Sequence, residues 1–205
     1  MKKFILLNIL VYFTAGSVFS KPLSEDLDNY IRSGITYVHS LKFDEAEKTF
    51  NELLANYPKN PYGYFGLAIT AWGRLEFEYE QSNPKMEQLF EERTETAMEK
   101  SREWIKKHKK DPHGYLCLGG MYGLKARLHV NKHSWVKSYF AGKKGIKYMK
   151  KTIKLDPKLY DAYIGPGMYK YYAGTLPSVI KILSKLFFIS GDPKEGIEQL
   201  KLTKD

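Results

Sequence analysis

The chain has 205 residues, one cysteine (Cys117) and a formal net charge of +10. A single thiol excludes an internal disulfide, so the fold has to stand on its own apolar core. The charge is split, with 11 Lys/Arg against 15 Asp/Glu in residues 1–100 (−4) and 22 against 8 in residues 101–205 (+14), which points the second half toward anionic partners.

Lys2 and Lys3 open the chain, an apolar run from Phe4 to Phe13 follows, and small residues come at Ala15, Gly16, Ser17 and Ser20. That is the three-part plan of a secretory signal peptide. The run is about ten residues long, too short for a helix to cross a hydrocarbon core of ~30 Å. Residues 1–20 are therefore expected to be a signal peptide cut near Lys21. One folded domain is expected over 21–205, exported to a bacterial periplasm or outer membrane, or secreted. Cys117, within Tyr-Leu-Cys-Leu-Gly, reads as a small buried hydrophobe and not as a nucleophile.

Beyond the leader, apolar residues recur at helical spacing. Asn60-Pro61, Asn83-Pro84, Asp111-Pro112, Asp156-Pro157 and Asp192-Pro193 look like helix starts. A short polar side chain can cap a free N–H, and proline suits the first turn. In chain order the pattern predicts helices at 25–39, 43–56, 61–80, 84–108, 112–130, 134–155 and 158–173. An inserted amphipathic helix at 177–189 and a last helix at 193–204 complete it.

A repeat runs through these helices. Tyr30, Gly34 and Tyr37 set an aromatic, small, aromatic frame on the first helix. Ala46, Phe50 and Leu53 set a small, large, large frame on the second, and Pro58 closes the unit. The first-helix frame recurs at Tyr64, Leu67 and Ala68, at Tyr115, Leu118, Gly119 and Tyr122, and at Tyr163 and Gly167 after Pro157. The second-helix frame recurs at Ala97, Gly145 and Gly196. From the aromatic to the small residue the step is 16 in the first unit and 33, 30 and 33 in the others. Insertions of 14 to 17 residues between paired helices are therefore expected, projecting on one face.

These residues resemble the tetratricopeptide (TPR) family across about 25–205, with departures at Ser33, at Leu41, where glycine is common, and at Pro166. The stretch 161–177 resembles exported bacterial TPR proteins of unassigned function. The resemblance implies an all-α, right-handed solenoid of antiparallel helix pairs, with about four repeats, three of them carrying insertions. Pro166 is expected to kink the helix 158–173. The sequence stops at Asp205 just after a second-helix pattern, so either 193–204 caps the stack, or a partner does, or the chain is truncated.

No catalytic, cofactor or metal motif rises above background. His129 and His133 have helical metal spacing, but Val130 stands where zinc proteases have Glu. The expected function is a non-enzymatic exported scaffold gripping a protein or peptide, as one part of an envelope assembly. Candidate contacts are Lys143, Lys147, Lys150 and Lys154, one stripe on a helix, with Tyr169 and Tyr172. A second reading is attachment to an anionic lipid or polymer surface through that basic face and 176–189. A third is an enzyme acting on an envelope polymer, with Asp161 as its best acid. Export argues against nucleic acid. Self-association of the acidic strip (Glu76 to Glu95) with the basic helices is a further expectation.

Overall fold

The computed structural model describes residues 23–77, 84–175 and 191–203, and every regular element among them is helical. The leader 1–20 and the inserted segment 177–189 lie outside the described residues. The helices are α1 (Glu25–His39), α2 (Phe43–Asn56), α3 (Pro61–Phe77), α4 (Pro84–Lys107), α5 (Pro112–Asn131), α6 (Trp135–Leu155), α7 (Ile164–Thr175) and α8 (Pro193–Lys201), with a 3-10 turn (Tyr160–Tyr163) ahead of α7.

The Asx-Pro steps at Asn60, Asp111 and Asp192 act as the helix starts the sequence predicts, whereas Asp156-Pro157 opens a turn ahead of the 3-10 segment and Asn83 lies outside the described residues. Asp111 Oδ1 accepts from His113 N–H at 2.9 Å, and Asp192 Oδ1 accepts from Lys194 and Glu195 N–H at 2.9 and 3.2 Å. Each satisfies donors that a helix cannot pair internally.

Consecutive helices pack as hairpins, α1 with α2, α3 with α4, α5 with α6 and α7 with α8, and the pairs stack in chain order. The chain is an all-α solenoid of stacked helix pairs. Small residues let the partners approach. A Cβ on Gly145 would lie 3.1 Å from Gly119 O, and one on Gly167 would lie 3.1 Å from Gly196 O. Ala68 and Ala97 hold the same places in the second pair and are wholly buried. Phe50 of α2 ties the first pair to the second. Its ring lies between Gly34 of α1 and Gly66 of α3, and a Cβ on either would come within 3.0 Å of it.

The repeat tyrosines have equivalent settings. Tyr64, Tyr115 and Tyr163 each donate a hydroxyl hydrogen bond to the carbonyl six residues earlier, at Pro58, Lys109 and Pro157 (2.9, 3.1 and 3.3 Å). Each ring packs between helices while its tip ties down the loop that leads into its own helix.

The insertions are not projecting loops in the second and third pairs. Against the first repeat, α5 runs seven residues further beyond its tyrosine and α6 starts seven residues earlier before its small residue. The expected 14-residue insertion is thus about two extra turns on each helix. The turn itself is unchanged. It has three residues, 40–42 or 132–134, with the middle one left-handed (Leu41 φ 58°, His133 φ 53°). In both, the next N–H reaches back five residues, Lys42 to Tyr37 O and Ser134 to His129 O. Leu41 therefore carries the strain that glycine at this position would avoid. In the second pair, α3 and α4 likewise outrun the frame on both sides of residues 78–83.

The extra turns bury a core of their own, which is why they are helix. Ala71, Trp72, Leu75, Phe90 and Leu128 form it, with Met86, Leu89 and Leu124 against it, and the Trp72 and Phe90 rings lie 5.0 Å apart.

The fourth unit also differs from expectation. The helix predicted at 158–173 is a 3-10 turn followed by α7 from Ile164. Pro166 therefore falls in the first turn of α7, where its missing N–H costs no internal hydrogen bond and no kink is needed.

Candidate functional site

The first helices of the repeats form a layer of their own. α1 packs on α3, and α3 on α5, whereas α2, α4 and α6 have no comparable contact with one another. The inner face of a curved stack is the side on which its helices crowd.

Two positions before each repeat tyrosine lies a row of polar residues: Asp28, Tyr62, His113 and Asp161. Tyr62 and His113 are buried, and Tyr62 Oη lies 2.8 Å from His113 Nδ1. Burial pushes the Tyr62 hydroxyl well above its usual range, with Cys117 and the acids Asp161, Asp111 and Asp28 adding to it. Burial lowers the His113 imidazole, opposed by Asp111 and Asp156. A neutral imidazole has one proton for two nitrogens, and His113 Nε2 is buried with no partner among the described residues. Cys117 is fully buried beside this pair, its thiol pushed well up by burial. It is held protonated, which is not the state of a nucleophile. The Tyr62–His113 pair is structural glue and not an accessible site, while Asp28 is half-buried and Asp161 exposed.

A pH dependence follows. His113 binds its proton more weakly folded than unfolded, so it contributes stability above the ordinary imidazole pKa of about 6.5. That contribution is lost as pH falls from there through the lowered folded value. Urea unfolding is expected to show a falling midpoint over that window, and His113→Gln is expected to flatten it. An equal fall in the variant would assign the effect elsewhere.

The inner layer opens further along. Gly120 of α5 is covered by the Phe65 ring of α3, but among the described residues a Cβ on Gly123 would meet nothing within 4 Å. On α7, Ile164 and Met168 are 42% and 40% exposed. α7 packs on α6 and α8 with only marginal contact to α5, unlike the earlier inner helices. Among the described residues α5 and α7 are thus less closely packed than the earlier inner helices, with open space at Gly123 and two partly exposed apolar side chains on α7.

On the extended part of the stack, α4 and α5 enclose a cleft of about 430 Å³ lined by Phe90, Glu91, Glu95, Lys125, Leu128 and His129, among others. Charges on and around this cleft are paired among the described residues. Lys125 pairs with Glu95, Lys132 with Glu87, and Arg127 with Glu76 at 2.6 Å. The acidic strip read from the sequence therefore finds cations on the neighbouring helix. His129 is lowered by burial and by Lys125, Lys137 and Lys132. His133 lies in the turn beyond α5, its ring 5.8 Å from Trp135, so the two histidines do not share a helix face. Among the described residues no group of three His, Cys, Asp or Glu could hold a metal.

Of the candidate contact residues, Lys143 and Tyr169 both lie beside Tyr139. Lys143, Lys147, Lys150 and Lys154 are exposed along α6. Tyr169 is half-buried near Tyr139, and burial raises its hydroxyl. The Tyr172 side chain lies outside the described residues. Sequence reasoning missed Gly123, Ile164 and Met168, and the exposed Trp135, Val136 and Phe140 at the start of α6.

No family model and no curated protein matches the chain. Among solved structures it is similar to the crystal structure of a thermophilic TPR protein from Thermus thermophilus. That match has 16% sequence identity, covers 86% of this chain and 72% of that one, and has a TM-score of 0.46. The architecture described above stands on the helix pairs and their repeated packing.

Proposed function

We propose that this chain is a binding scaffold that takes an extended segment of a protein partner against its inner layer, at the opening between α5 and α7. The observations that carry this are the open space at Gly123 on α5 and the partial exposure of Ile164 and Met168 on α7, on a framework of otherwise closely packed helices. Apolar side chains left half-exposed beside an unfilled space are what a docking segment can cover. Completing their burial would supply only ~1–3 kcal/mol in all. Affinity would then accumulate from several weak contacts along the segment.

Filling the gap tests this. Linear peptides selected on the wild-type protein from a displayed library are expected to bind Gly123→Tyr at least ~10-fold more weakly, a loss of about 1.4 kcal/mol. Unchanged binding would place the peptide site elsewhere.

We also infer export, from the charged, apolar and small-residue order of residues 2–20. A protein recovered outside the cytoplasm with its amino terminus at or near Lys21 is what this requires, and an intact Met1 on all recovered protein would refute it.

A further inference from the structure

α6 carries seven lysines, no arginine and no acidic residue. Its buried side is Ala141, Gly145, Met149 and Thr152. On the opposite side Val136, Phe140, Lys143, Lys147, Lys150 and Lys154 follow one another in alternating steps of four and three. That spacing makes a single line along a helix, about 27 Å long at 1.5 Å per residue. Val136 and Phe140 are 66% and 57% exposed, and Trp135 beside them is 61% exposed. Lys143 Nζ lies 5.8 Å from the Tyr139 ring centroid. Lys147, Lys150 and Lys154 have no ion-pair partner among the described residues. The cations of α5 are largely matched by the acids of α3 and α4, whereas α6 has no acid of its own beside its lysines.

We propose that this edge docks on an anionic phospholipid surface. Trp135, Val136 and Phe140 enter the boundary between headgroups and acyl chains, and the lysine line behind them lies over the phosphates. Three features favour lipid over other anions. The apolar side chains are grouped at one end, at the tip of the α5–α6 hairpin, where they can enter a bilayer together, and an indole belongs at that depth. A nucleic-acid strand would instead call for aromatics interleaved with the cations. The charges are all lysine, suited to diffuse attraction and not to bidentate capture of single phosphates. Attachment is peripheral, since among the described residues no helix is long and apolar enough to cross a membrane.

The test is co-sedimentation of the full chain with phosphatidylglycerol–phosphatidylcholine vesicles and with pure phosphatidylcholine vesicles, at low and high salt. The apolar run 4–13 is present in every sample, so the readout is the difference between wild type and variants. K147Q/K150Q/K154Q is expected to lower partitioning onto the anionic vesicles by ~10–100-fold and to reduce its salt dependence. V136S/F140S is expected to weaken binding and to abolish the vesicle-induced blue shift of tryptophan emission, a shift also absent in W135F. These six positions are solvent-exposed, and an unchanged melting temperature verifies that the variants fold. Partitioning equal to wild type in both multiple variants overturns the proposal. So does equal binding to neutral vesicles, or binding to polyglutamate with none to either vesicle, which would mark an acidic protein as the partner.

Discussion

Phe50→Ala is expected to cost about 3–5 kcal/mol of stability, toward the upper end of that range. Phe50 is 1% exposed, and its ring fills the space between Gly34 of α1 and Gly66 of α3. Those neighbours are glycines and have no side chains with which to close the cavity. The helices would have to shift as bodies, which the Tyr64 bond to Pro58 O and the rest of the core resist. The same geometry sets the sign of a second effect. Gly66→Ala alone overpacks the site, at a cost of about 1–3 kcal/mol, because its Cβ would come within 3.0 Å of the ring. With Phe50 already alanine that methyl has room, and the penalty is expected to shrink or reverse. A double-mutant cycle by urea unfolding measures the coupling. Simple additivity would mean that the glycine does not exist to accommodate the ring.

The first pair was legible to the residue. Helices predicted at 25–39 and 43–56 coincide with α1 and α2, because Ser24 caps the first helix and the apolar spacing is unbroken. The small and aromatic frame of the later repeats was legible for the same reason, since close approach can be made only with Gly or Ala. The nature of the insertions was misread, although a signal existed. An excess of 14 residues is seven per helix, close to two turns each, and leaves the buried face in register. A loop has no reason to keep that register. The gap at Gly123 was not legible at all. Nothing local distinguishes it from Gly120, which the Phe65 ring covers. The difference is the reach of the Phe65 ring of α3, which covers Gly120 and not Gly123, and no short-range pattern encodes that reach. The lysine stripe was found from Lys143 onward, but its apolar beginning at Val136 and Phe140 was missed. Exposed apolar residues at helical spacing look the same as core until the neighbouring helices are known.

Gly196→Ala is expected to open the fourth helix pair while leaving the first three intact. A Cβ at Gly196 would lie 2.6 Å from Tyr171 N and 2.8 Å from Gly167 O. These are backbone atoms, which cannot turn aside as a side chain can. α8 has nine residues, too few to be stable alone in water, and among the described helices it packs chiefly on α7. The Lys170–Glu195 ion pair across that interface is largely exposed on its acidic side and is a weak tether. A penalty of about 1–3 kcal/mol corresponds to a roughly 5–150-fold rise in local opening. Hydrogen exchange should register it in the amides of α7 and α8, with α1 to α6 unchanged. Faster exchange throughout would mean that the pairs unfold as one unit, and no change would mean that the α7–α8 contact is not as close as the two glycines require. The variant also separates scaffold from site. Ile164 and Met168 belong to α7, so loosening that helix is expected to weaken peptide binding at the opening without altering any residue that lines it, while the lysine line on α6 keeps its attraction for anionic lipid.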